Sequence, residues 1–88
     1  MTLKNLLQTA KKGFRFYVDL AKDDPTGAYH WLACLNGVRH MALDSIELFG
    51  ETVSGDELAE SYDILDETYD QAREEIDNLY RMAVNNND

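Results

Sequence analysis

The stretch SGDELAESYDILDETYDQAREEIDNLYRMA, Ser54 to Ala83, carries the most regular pattern in the chain. Leu58, Tyr62, Leu65, Tyr69, Ala72, Ile76, Leu79 and Ala83 follow one another at alternating steps of four and three without a miss. Residues so spaced share one face of a helix, so this is the heptad seam of a long amphipathic helix over about 55–84. Its start is marked by Ser54 with Glu57 three residues on, a capping box that satisfies free N–H groups of the first turn. Two residues before each of the first seven seam positions stand Asp56, Glu60, Asp63, Glu67, Asp70, Glu74 and Asp77. That offset places them on nearly the opposite face, a continuous acidic stripe flanked by Asp66 and Glu75.

A long apolar seam must be buried against other helices, and the upstream sequence supplies two. Over about 3–22, after the N-cap residue Thr2, the residues Leu3, Leu7, Ala10, Phe14, Tyr17 and Ala21 share a face, with Leu6 and Leu20 beside them. Gly13 is the weak point, where a kink is expected. Phe14 to Leu20 also alternates at period two, but an unpaired strand would leave its backbone groups unsatisfied, so the helix is preferred. Pro25 ends this element, and Asp24 or Thr26 is placed to cap the next. The second helix runs over about 27–49, with apolar residues round well over half its circumference, the pattern of a central element contacted from two sides. Gly50 is the expected C-cap.

Eighty-eight residues make one domain, 1–88, ending in the polar tail 85–88. The expected fold is all-α: a three-helix bundle, or a long helical hairpin with a supporting N-terminal helix. A homodimer through the seam or the second-helix surface left uncovered would add stability to so small a core.

Charge narrows the function. With 17 acids against 8 Lys and Arg the net charge is −9, which argues against direct nucleic-acid binding and against anionic membranes and points to cationic partners. The asymmetry is steep: residues 1–22 carry +4, while 44–77 hold thirteen acids and only Arg73. Ten acids between Asp56 and Asp77 lie on about 33 Å of helix, about one per 3.3 Å, against about 3.4 Å per phosphate along one DNA strand. Cys34 stands alone within the apolar run Trp31 to Leu35, so no internal disulfide forms and a buried thiol is expected. Met1 to Lys12 holds no apolar run of signal-peptide length, and a cytoplasmic location is the expectation.

Like charges at these spacings destabilise a helix, so an unbroken acidic stripe has a cost that a solvated face of mixed sign avoids. In charge design the stripe resembles the DNA-mimic inhibitors carried by phages and other mobile elements. The resemblance implies that Asp56, Glu60, Asp63, Glu67, Asp70, Glu74 and Asp77, flanked by Asp66 and Glu75, meet the Lys and Arg of a basic nucleic-acid-binding protein. On this reading the chain is an inhibitory interaction module, not an enzyme, with no catalytic residue, metal or cofactor. The bland alternative is a structural, oligomeric bundle whose acids keep it in solution.

Two further patterns invite chemistry. Asp44-x-x-Glu47 and Glu60-x-x-Asp63 put carboxylate pairs on successive helices, and over about twenty residues the spacing is similar to that of the MazG-type nucleotide pyrophosphohydrolases, with Asp44 where the family pattern has Glu. That resemblance implies a shared Mg²⁺ and nucleotide hydrolysis. Lys11-Lys12-Gly13-Phe14-Arg15-Phe16-Tyr17 resembles in part the RNP1 run of RNA-recognition motifs, but Arg15 replaces a small residue and no four-stranded sheet accompanies it. The plainer reading makes Phe14 and Tyr17 core, and makes Lys4, Lys11, Arg15 and Lys22 a solvent face that pairs with carboxylates of the third helix. His40 and Asp44 form an i,i+4 pair on the second helix, where an imidazole bonded to a carboxylate is expected. No Ser-His-Asp or Cys-His arrangement, Gly-rich phosphate loop or zinc spacing is present.

Overall fold

The computed structural model describes residues 2–86, and they form an up-down-up bundle of three mutually packed helices. The helices are α1 (Leu3–Asp23), α2 (Ala28–Leu48) and α3 (Gly55–Asn86), with a 3₁₀ turn at Pro25–Gly27. At 1.5 Å per residue, α1 and α2 are about 32 Å long and α3 about 48 Å, so the last turns of α3 project beyond the α1–α2 end of a molecule 53 × 18 × 15 Å. No strand occurs among the described residues, and among them no helix is long and apolar enough to cross a membrane. The helix of α3 continues through the first half of the expected polar tail, to Asn86; residues 87–88 lie outside the described ones.

Local chemistry explains the ends. The Thr2 hydroxyl accepts the Asn5 N–H at 3.1 Å, and the Ser54 hydroxyl accepts that of Glu57 at 3.1 Å, so each satisfies a donor that has no partner within its helix. Between α1 and α2 neither Thr26 nor Asp24 caps by side chain. Instead the Asp24 carbonyl accepts the Gly27 N–H at 3.2 Å and the indole N–H of Trp31 at 2.9 Å, tying the turn to the second helix. Gly50 is not the C-cap: Phe49 holds that position, and no described residue has positive φ. The chain leaves α2 through tight turns in which Phe49 and Gly50 donate to the carbonyls of Ile46 and Glu47, both at 3.0 Å.

The core is the meeting of three faces. Its largest fully buried side chains are Phe14 and Val18 from α1, Leu35 and Ile46 from α2, and Leu65 and Ile76 from α3. The Phe14 and Tyr69 rings pack with centroids 5.9 Å apart. On α3 the seam faces inward as its spacing requires, with Ser61 buried beside it and its hydroxyl donated to the Glu57 carbonyl at 2.9 Å. On α1 the buried line is Leu3, Leu6, Ala10, Phe14, Val18 and Ala21, so Leu6 and Val18 replace Leu7 and Tyr17 at its centre. The reason is that α1 must point between two neighbours, while the apolar stripe alone allows a turn of some tens of degrees either way.

Two further expectations need correction. No helix is central in this triangle: α2 touches both others yet leaves Tyr29, Met41 and Leu48 exposed, at 89%, 73% and 83%. Cys34 is half-buried rather than enclosed, its sulfur 3.9 Å from Nε2 of His30.

Gly13 lies within an uninterrupted α1 and has a packing role: a Cβ there would stand 3.2 Å from Cγ1 of Val38 on α2. Gly37, in the middle of α2, would place a Cβ in open space. Gly37→Ala is therefore expected to stabilise the chain by about 0.5–1 kcal/mol through reduced backbone entropy of the unfolded state. At Gly13 the same gain is offset by crowding against Val38. Thermal denaturation of both variants in dilute solution checks the contrast.

Candidate functional site

The acidic stripe is built by α3 alone, and each turn of that helix from Asp56 to Asp77 sets one of its members. Asp56, Glu60, Asp63, Glu67, Asp70 and Glu74 are all exposed. None of the seven makes an ion pair among the described residues. They rise along one side for about 27 Å between Asp56 and Glu74. Asp77 departs from the row. A seven-residue repeat on a straight helix drifts by about 20° per heptad, so three heptads turn it by about 60°. Asp77 thus ends half-buried on the α2 side, in a shallow recess with Ala28, Leu32 and Tyr80.

The flanking carboxylates behave differently. Asp66 Oδ1 accepts from Arg39 of α2, at 3.3 Å from Nε and 3.1 Å from Nη2, and the same guanidinium lies 5.2 Å from the centre of the Tyr69 ring. Glu75 accepts from Arg15 of α1 at 2.7 Å. The structure therefore spends both flanking acids on clamping α3 to its neighbours, and leaves the outward row unneutralised. Lys22 pairs with Asp19 at 3.4 Å, so the plainer reading of the basic face holds for Arg15 but Lys22 stays within α1. Nothing in the sequence pattern singles out Arg39: its partner is 27 positions away and neither residue is in a repeat.

Removal of this clamp has a measurable cost. Arg39→Ala loses a half-exposed ion pair worth at most about 1 kcal/mol and a cation–π contact of similar size, so destabilisation of about 1–2 kcal/mol is expected in urea titration. Arg39→Met, which keeps the buried stem, should recover part of it.

The other candidates fall in separate places. Asp44, Glu47, Glu60 and Asp63 are exposed, and no group of three or more His, Cys, Asp or Glu stands close enough to hold a metal ion among the described residues. His40 makes no hydrogen bond to Asp44 among those residues; both side chains face solvent. In the aromatic-basic run Phe14 is core, Phe16 is exposed at 56%, and Tyr17 is half-buried with its ring 5.2 Å from that of Phe16. Helical geometry sends Phe14 and Phe16 to different sides, so they cannot form the shared stacking platform of an RNA-binding sheet. Comparison with protein families, with curated proteins and with solved structures finds no match for this chain.

Proposed function

We propose that the protein is an acidic interaction module that imitates a nucleic-acid backbone and inhibits a basic nucleic-acid-binding protein by occupying its binding groove, in the manner of a phage or mobile-element counter-defence inhibitor. The observation that carries this reading is the division of labour on α3. The acids within reach of Arg15 and Arg39 are paired, and the outward row makes no ion pair among the described residues, with Arg73 the one cation a helical turn from it on α3. Each consecutive pair in that row stands three or four residues apart, where like charges cost about 0.2–0.5 kcal/mol. A partner carrying Lys and Arg at phosphate-like spacing relieves that repulsion on binding, and long-range attraction makes association rapid and salt-sensitive.

The test is retention by the bead-bound full chain from a nuclease-treated lysate, with elution by stepwise salt and by duplex DNA. The reading expects a DNA- or RNA-handling protein that leaves at moderate salt, is displaced by DNA, and is not retained by a chain carrying Asp63→Lys, Glu67→Lys and Asp70→Lys. Equal retention by the triple variant would sink it and leave the stripe as a solubilising face.

A further inference from the structure

We infer that the face formed by α1 and α2, on the side away from α3, is the interface of a two-fold dimer of this chain. A groove of about 260 Å³ runs there, lined by Leu6, Ala10, Gly13, Val38, Met41 and Ala42. Phe16, Met41 and Leu48 stand open to solvent around it. The helical phase places Lys12 on the outer rim of α1 and Asp44 on the outer rim of α2. Between those rims the two helices present no lysine or arginine, and a carboxylate only at Asp23, the last residue of α1, in a chain that is 28% charged. Such an expanse of nearly uncharged surface marks an interaction site.

The charge distribution says which occupant fits. Two copies each carrying −9 repel through any approach that brings the α3 stripes together. Meeting through this face puts both stripes on the outside. The rims then decide the orientation. Gly13 lies level with Val38, so Asp44 stands level with about residue 7 of α1, about 7 Å along the axis from Lys12. A two-fold axis parallel to the helices lays α1 of one copy on α2 of the other at unchanged height. It thereby brings Lys12 of each copy to the same edge as Asp44 of the other, with an axial offset smaller than a Debye length of about 8 Å. The alternative antiparallel two-fold sets like rims against each other. This inference does not depend on the role of the acidic stripe, which stays accessible in the dimer.

Sedimentation equilibrium of the full chain tests it. The wild type is expected to show a reversible monomer–dimer equilibrium. Met41→Glu and Leu48→Glu should each weaken it by at least about tenfold, because burying an unpaired carboxylate costs more than the ~1.4 kcal/mol that a factor of ten represents. Both side chains are exposed in the single chain, so the circular dichroism of each variant should be unchanged. Lys12→Glu and Asp44→Lys should each weaken the dimer, and the two together should restore it. A wild type that stays monomeric into the millimolar range, which would give the face to a foreign amphipathic helix, overturns the inference. So does dimerisation that is indifferent to Met41→Glu and Leu48→Glu, and a failure of the paired rim reversal to restore association overturns the two-fold geometry.

Discussion

Replacing Asp63, Glu67 and Asp70 together with lysine is expected to abolish binding to the basic partner while raising the stability of the free chain. The two effects have opposite signs because the same charges act in two settings. In the free protein Asp63 repels Glu60 and Asp66, and Asp70 repels Asp66 and Glu74. Lysine at both positions turns these four contacts into attractive i,i+3 and i,i+4 pairs, while the three lysines still repel one another and the one at position 70 loses the favourable spacing to Arg73. With these contacts each changing by a few tenths of a kcal/mol, a net gain of about 1 kcal/mol follows, a rise in Tm of about 4–8 °C for a domain of this size. At the partner surface each reversal replaces an attraction with a repulsion. At about 1–2 kcal/mol per site the three together remove about 3–6 kcal/mol, a hundredfold loss or more in affinity. Differential scanning calorimetry beside a titration of the captured partner reads both. A triple variant that binds as well as the wild type would remove the stripe from the site, whatever its stability.

Phe14→Ala should be the most damaging single change to the fold. Phe14 is 1% exposed and packs against Tyr69, at the level where α1 meets α3. Deleting a buried phenyl ring in such surroundings costs about 3–5 kcal/mol, part for transfer and part for the cavity left behind. A domain of 88 residues has about 5–15 kcal/mol in total, so the variant should lose most of its cooperative transition at physiological temperature. Phe16→Ala, two positions on, should cost less than about 1 kcal/mol because that ring is 56% exposed. The comparison also tests the local conformation directly. On a strand both rings would share one face and the two changes would cost alike; on α1 they differ by 200° and only one is core. Equal losses in urea titration would contradict the helical reading of this segment.

Much of the architecture was legible because it depends on short-range chemistry. Thr2 and Ser54 cap the first turns of their helices with their own side chains, and the Leu58 to Ala83 repeat fixes which side of α3 is dry before any neighbour is known. Where the reading failed, a competing local or tertiary effect had taken over. Gly50 reads as the C-cap, but Phe49 holds that position, and tight turns at Phe49 and Gly50 satisfy the carbonyls of Ile46 and Glu47. Gly13 reads only as the weak point of α1, yet it has a packing role that the spacing does not show, since its missing Cβ lets Val38 of α2 approach. The apolar excess of α2 suggests a helix enclosed on two sides, whereas the bundle leaves Tyr29, Met41 and Leu48 outside.

The candidate site divides along the same line. The sequence alone determined that the carboxylates from Asp56 to Glu74 lie along one side of a long helix, that the helix is amphipathic, and that the positive charge is gathered near the N-terminus, because each follows from helical periodicity and residue type. Only the tertiary structure decided which acids remain free. Arg39 reaches Asp66 across 27 positions and Arg15 reaches Glu75 across 60, and the packing of α2 beside the end of the row half-buries Asp77. Such pairings depend on how helices are rotated against one another, which is set by the fit of three apolar faces and leaves no mark in the spacing of any one of them.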